Sequence, residues 1–158
     1  VIPGVLRGMK EEYELVEKHI LRGLAIAGLI FLMVFIALPA LQRWQRDTQR
    51  GQDLSRALTA VQSYQNKNRA KLPAAFDNGF INSYLKTGSD TFADPDGTDY
   101  TFVEGSIDGS ATWEANQHKI YVTRNATCNG EFPVASSGAS KVALQMKMEG
   151  GGISCTNN

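Results

Sequence analysis

"GLAIAGLIFLMVFIALPALQRWQRDTQR", residues 23–50, decides how the whole chain must be built. From Leu24 to Leu41 eighteen residues pass without a charged or polar side chain. At about 1.5 Å per residue they make roughly 27 Å of helix, close to the thickness of a bilayer core. Beyond Pro39 the chain enters an arginine-rich stretch with no linker between. The run is long for the apolar part of a cleaved secretion signal, no A-x-A site ends it, and it lies well inside the chain, so we expect it to enter a membrane. A core helix that is apolar on every side would need far more surrounding protein than 158 residues supply.

That length suits one compact domain plus an extension. Sixteen basic residues balance sixteen acidic ones, so no global charge argues for a nucleic-acid partner. Cys128 and Cys155, both in the C-terminal part, form an even set behind a membrane segment. This pattern suggests export and a disulfide, with two buried thiols in a reducing compartment as the alternative.

Working outward from the apolar run, MKEEYELVEKHILR (residues 9–22) places Tyr13, Val16 and Ile20 at helical spacing, with Glu14 four residues before Lys18. Pro3 and Gly4 predict a break ahead of it. On the other side, Leu41, Trp44, Thr48, Leu54, Leu58, Val61 and Gln65 are expected to share one amphipathic face, with Arg43, Arg46, Asp47, Arg50, Asp53 and Arg56 pointing away from it. Asn66, Asn68 and Pro73 signal the exit. The prediction is one interrupted helix of about 58 residues, residues 9–66 and roughly 87 Å long, which no globule of this size can bury. Its apolar half needs lipid, or copies of itself.

From Leu72 the pattern changes. AFDNGFINSYLKTG predicts a short helix, and FADPDGTDYTFVEG a turn and then a strand near Tyr100–Glu104. HKIYVTR (118–124) and KVALQMKM (141–148) alternate as strands, the second through Val142, Leu144, Met146 and Met148, and ISCT suggests a short last one. The expected fold class is α+β, a long N-terminal helix packed on a small antiparallel sheet of hairpins. The expected domains are a charged segment (1–23), an apolar transmembrane or filament-core helix (24–41), its amphipathic continuation (42–67) and a globular head (68–158). Residues 68–98 and 125–140 are expected to be loops that face outward.

Catalytic motifs are missing from the sequence. His19 and His118 have no evident nucleophile or metal partner, and no phosphate loop, Gly-x-Ser-x-Gly or zinc spacing occurs. We expect neither an enzyme nor a cofactor. Gly150, Gly151 and Gly152 read as a flexible turn. Asp94, Asp96 and Asp99 offer alternate acidic oxygens around a glycine turn, a weak calcium pattern that lacks the distal bidentate glutamate; a plain turn before a strand explains the same residues, and no metal is expected. Asn125-Ala126-Thr127 matches a glycosylation acceptor that often occurs by chance. Arg43, Arg46, Arg50, Arg56, Lys67, Arg69 and Lys71 offer charge to DNA or lipid phosphates, but interleaved Asp47 and Asp53 favour a solvated or subunit-pairing face.

These residues resemble the type IV pilins. The similarity runs from about residue 13 to the end: an apolar helix with Gly28 and Pro39, a polar helical continuation, a loop, a small sheet and a C-terminal cysteine pair enclosing the last long strand. LAIAGLIFLMVFIALPALQRWQRDTQR, followed by DLSRALTAVQSYQNKNRAKLP, is similar to pilins of ultrasmall, host-dependent bacteria. The resemblance implies a pilus subunit that waits in the cytoplasmic membrane, is extracted by assembly machinery and polymerises outside the cell for adhesion or motility. Leu24, Ile26, Leu29, Ile30, Phe31, Leu32, Val34, Phe35, Ile36 and Leu38 would fill the filament core. Gly28 and Pro39 would mark a helix break, since proline cannot donate to the carbonyl of Phe35 and glycine is a weak helix former. The partners it implies are other copies of the chain, the membrane and a host-cell surface, with DNA undecided.

The family is cut after a glycine, leaving a methylated aromatic residue first and a glutamate fifth that pairs with a neighbour's terminal amine. YELVE (Tyr13–Glu17) is the nearest string, which makes Glu17 the candidate assembly glutamate. Glu12 stands where the family has glycine, and Lys18, His19 and Arg22 stand where it is apolar. Arg22-Gly23 offers another cut. Two rival readings remain, a secretion-system pseudopilin with calcium on the acidic turn and a single-pass membrane protein displaying a small binding domain.

Overall fold

The computed structural model describes the backbone of residues 2–158 and the side chains from Arg7 onward. Contacts divide the chain into two units, one ending at Gln42 and the other spanning Arg43–Asn158. Helix α1 (Ile2–Lys67, 66 residues) contributes to both. The expected break at Pro3-Gly4 does not occur. A proline in the first helical turn forfeits no hydrogen bond, because the N–H it lacks has no partner there. Helix is also assigned without interruption through Gly28 and Pro39 in the isolated chain.

α1 ends where the asparagines signal. The Asn68 side chain donates to the Tyr64 carbonyl, and the N–H groups of Asn68 and Ala70 both return to the Gln65 carbonyl. Arg69 and Ala70 take left-handed backbone, at φ 56° and 59°, a conformation that disfavours side chains with a Cβ.

In the second unit α1 is followed by α2 (Asn78–Tyr84), β1 (Thr101–Glu104), α3 (Trp113–Asn116), β2 (Lys119–Arg124), β3 (Ala126–Asn129), β4 (Phe132–Ala135), β5 (Val142–Lys147) and β6 (Ile153–Asn157). The sheet order is β1-β2-β5-β6, with β3-β4 as a separate hairpin. The β2–β5 and β5–β6 pairs are antiparallel, as expected, but β1 lies parallel to β2. Parallel neighbours cannot be joined by a tight turn, and residues 105–118, including α3, make the crossover.

Leu54, Ala57 and Val61 of α1 pack with Phe80, Ile81, Leu85, Phe92 and Tyr100 and with the inward residues of β2 and β5. Residues 68–98 expose most of their side chains, as expected, but Phe80, Phe92 and Asp94 turn inward. The segment wraps the helix and supplies much of the core's aromatic surface. Residues 125–140 face outward for the most part, but they form mostly a hairpin and not an irregular loop. Strand β5 is buried on both faces, not one: Ala143 and Gln145 are as covered as Val142 and Leu144. Buried Gln145 is satisfied, donating to the carbonyls of Glu131 (2.8 Å) and Ile107 and accepting the Ile107 N–H (3.1 Å).

Candidate functional site

Two features of α1 are candidates for function, one in each unit. In the first unit every described side chain is exposed. Leu24, Ile26, Leu29, Ile30, Phe31, Leu32, Val34, Phe35, Ile36 and Leu38, the expected core of a filament, range from 44 to 75 % exposed. The helix is long and apolar enough to cross a membrane, and none of its most apolar stretch is covered by the rest of the chain. A contiguous apolar surface of this extent in water would drive association, so lipid or protein must cover it. Glu17, the candidate assembly glutamate, is exposed on the same helix.

In the second unit the expected amphipathic face is corrected. Trp44 and Leu41 are exposed, whereas Arg46 and Asp47 are half-buried and Arg50 and Asp53 are buried. At about 100° per residue, the six-residue step from Thr48 to Leu54 leaves the two roughly 120° apart, so Leu41, Trp44 and Thr48 lie to one side of the stripe that Leu54, Val61 and Gln65 occupy. Counting back from Val61 by threes and fours gives Ala57, Asp53, Arg50 and Arg46. That periodicity was the available signal, hidden because its first members are charged.

Arg50 is 2 % exposed and anchors an ion-pair cluster. Its Nε and Nη2 donate to Asp94 Oδ1 (2.6 Å) and Oδ2 (2.9 Å), the bidentate geometry that suits guanidinium and carboxylate. Its Nη1 donates to Asp47 (2.9 Å) and Glu149 (3.1 Å), and Trp113 stacks on it, 4.3 Å from ring centroid to Cζ. Arg46 Nε also donates to Glu149, at 2.8 Å. The Asp47 carboxylate accepts the backbone N–H of Glu149 (2.9 Å) and of Gly150 (2.7 Å). The triple glycine is therefore held at its first member by the helix, while Gly151 and Gly152 take the positive φ of the turn. One helical turn of α1 thus fastens both the acidic turn and the β5–β6 turn. Farther along, Tyr100 donates to Asp53, 3.0 Å away.

Burial alone would lower the Arg50 guanidinium's pKa, but hydrogen bonds to Asp94, Asp47 and Glu149 outweigh it and the net shift is upward. Hydrogen bonding from Arg46, reinforced by Arg50 and opposed by burial, pulls Glu149 down to about 2. Asp53 moves up, because burial outweighs its bonds from Tyr100 and Arg56. The arrangement is a structural clamp, with each of its charges paired in place. Three of the seven cations that offered themselves to phosphates are committed: Arg46 to Glu149, Arg50 to Asp94, and Arg56 to Asp53 at 3.2 Å.

The calcium triad is not assembled. Both Asp94 oxygens face Arg50, and Asp99 pairs with Lys86 at 2.7 Å. Asp96 accepts the Thr98 N–H (2.8 Å) and meets His118 Nε2 at 2.6 Å, a neighbour the sequence did not reveal. Asp94, Asp96 and His118 each bring a ligand atom within 4.8 Å of the others. An imidazole and a carboxylate already spent on arginine are poor ligands for a hard cation that prefers six to eight oxygens. Cys128 and Cys155 are disulfide-bonded, joining β3 to β6.

No protein-family model, curated protein or solved structure matches this chain.

The depressed pKa of Glu149 has a measurable consequence. Its folded value, about 2, lies below the ordinary 4.5, so the stability it contributes is complete above pH 4.5 and is lost as pH falls towards 2. Allowing for solvent screening, we expect about 1–2 kcal/mol over that window. Asp53, with its raised value, acts in the opposite sense. Acid titration of unfolding midpoints should show a shallower loss between pH 4.5 and 2 in Glu149→Gln than in the parent; identical slopes would refute this.

Proposed function

We propose that the chain is the structural subunit of an extracellular filament of the type IV pilus kind, held in the cytoplasmic membrane before assembly and serving adhesion or motility. The observation that carries this reading is the wholly exposed apolar stretch of α1, on the same helix whose later turns form the core of a disulfide-closed head. Lipid solvates that surface first; neighbouring copies replace lipid in the fibre. Contacts between different faces of successive copies do not close, so growth continues as a filament. In the fibre the Gly28–Pro39 segment bends or extends, because these two residues hold helix least well. Glu17 is the proposed assembly glutamate. The commitment of Asp94 to Arg50 weighs against the calcium-dependent pseudopilin.

The test is to shear cells expressing the chain and image the released material. Fibres containing it are expected, with Phe31→Lys abolishing them, since a charge at the centre of a bilayer costs at least about 2.5–3.5 kcal/mol. Recovery only as a detergent-soluble monomer overturns the filament and favours the membrane-anchored binding domain. Reconstruction of the fibre reads the helix between Gly28 and Pro39 directly, and mass spectrometry of its N-terminus reads the processing that Glu17 requires.

A further inference from the structure

The segment Arg7–Arg22 is helical and exposed, and its apolar residues are not scattered. Met9, Tyr13, Val16 and Ile20, each between 56 and 79 % exposed, follow a 4-3-4 spacing and fall within about 60° of arc. Leu15 and Leu21 lie off this stripe, on opposite sides of it. So narrow a stripe has the form of a two-helix seam, and a helix resting on lipid presents a wider one. Between Arg7 and Arg22 four basic side chains balance four acidic ones, so there is no net charge to draw the segment to an anionic membrane surface.

We propose that this segment pairs with the same segment of a second copy, antiparallel, with Tyr13 opposite the partner's Val16 and Met9 opposite the partner's Ile20. The flanking charges choose this arrangement. With Tyr13 and Ile20 at a positions and Met9 and Val16 at d, Lys10 and Glu17 occupy e positions and Glu12 and His19 occupy g. Antiparallel helices bring e to e and g to g. In this register Lys10 faces the partner's Glu17 twice, and Glu12 faces the partner's His19 twice, attractively when the imidazole is protonated. Sliding by one heptad either way sets Lys10 against Lys10, or Glu17 against Glu17. A parallel pair sets Glu12 against Glu17 on both sides, which is repulsive. Each of those alternatives sets like charges face to face.

The pairing belongs to any form of the chain that retains these residues, and it does not rest on the filament reading. Two copies inserted in one membrane can adopt it by turning at Gly23, where the helix has its weakest local former between the seam and the apolar run.

Sedimentation equilibrium of the full chain in detergent at low ionic strength tests it. Two exposed ion pairs turned repulsive should weaken dimerisation roughly tenfold in Glu17→Lys and again in Lys10→Glu, while the double exchange restores it. Val16→Asp should leave a monomer. A parallel pair predicts the reverse for Glu17→Lys, which relieves the Glu12 repulsion and tightens association. If neither charge variant changes the dimer, the contact lies elsewhere, for instance in the apolar run. If instead vesicles of anionic lipid bind Glu17→Lys more and Lys10→Glu less, with no change in oligomer, the segment is a lipid-surface helix. Any of these last three outcomes overturns the proposal, and none depends on whether fibres form.

Discussion

Arg50→Met is expected to destabilise the head by about 3–5 kcal/mol, because it leaves the Asp94 carboxylate buried without its cation. Only 1 % of the Asp94 side chain is exposed, and what remains near it is His118, 4.0 Å away, and the Asp96 N–H at 3.3 Å. The loss is a large fraction of the 5–15 kcal/mol that holds a typical domain together. It should therefore appear as a clear fall in the denaturant midpoint of the full chain at neutral pH. Arg50 also orders two turns that are distant in sequence, so hydrogen exchange should rise together around Asp94 and Glu149. The companion Arg50→Met/Asp94→Leu separates charge from packing: removing both charges should return most of the stability, because a buried pair is costly to break but not to replace. Equal loss in the single and double variants would show that Arg50 acts by filling space and stacking on Trp113, with its pairing irrelevant.

The second large effect concerns the disulfide. Cys128 and Cys155 are separated by 27 residues, and closing a loop of that size restricts the unfolded chain by about 3–4 kcal/mol on the chain-entropy model. The bond ties the β3–β4 hairpin to β6. A lone two-stranded hairpin is marginal in water, and this one buries little of its own: Ala126 is covered, but Phe132 and Val134 are exposed. Cys128→Ser/Cys155→Ser should therefore lower the unfolding free energy by that amount and raise exchange first over residues 126–135. The hydrogen bond from the Cys128 N–H to Asn157 Oδ1, 2.9 Å, persists without the sulfurs and limits the local effect. An unchanged midpoint in the double variant would mean that the unfolded chain is already constrained elsewhere.

Both results depend on contacts between residues far apart in the chain, and this is the line between what could be read and what could not. The apolar run from Leu24 to Leu41, the helix that carries it, the exit after Lys67 and strands β2, β5 and β6 were legible, because each rests on local composition and period. An apolar surface of that length needs covering whatever the rest of the chain does. β1 also sat where the turn residues put it, but its parallel pairing did not, since strand direction is settled by a crossover and not by alternation.

The side of the helix that enters the head was misread for a specific reason. Hydrophobic period assumes that charge means water, yet Arg46, Asp47, Arg50 and Asp53 turn inward here because their partners arrive from Asp94, Tyr100 and Glu149, some 40 to 100 positions away. The acidic turn was read as a plain turn with calcium as a weak candidate, but its partners were not legible: the fold supplied arginine to Asp94, histidine to Asp96 and lysine to Asp99. The sequence by itself determined that this protein has a rod that must find an apolar environment and a small α+β head. Only the tertiary structure decided how the head grips the rod's later turns, because the free energy of a buried charge depends on which opposite charge the fold brings to it.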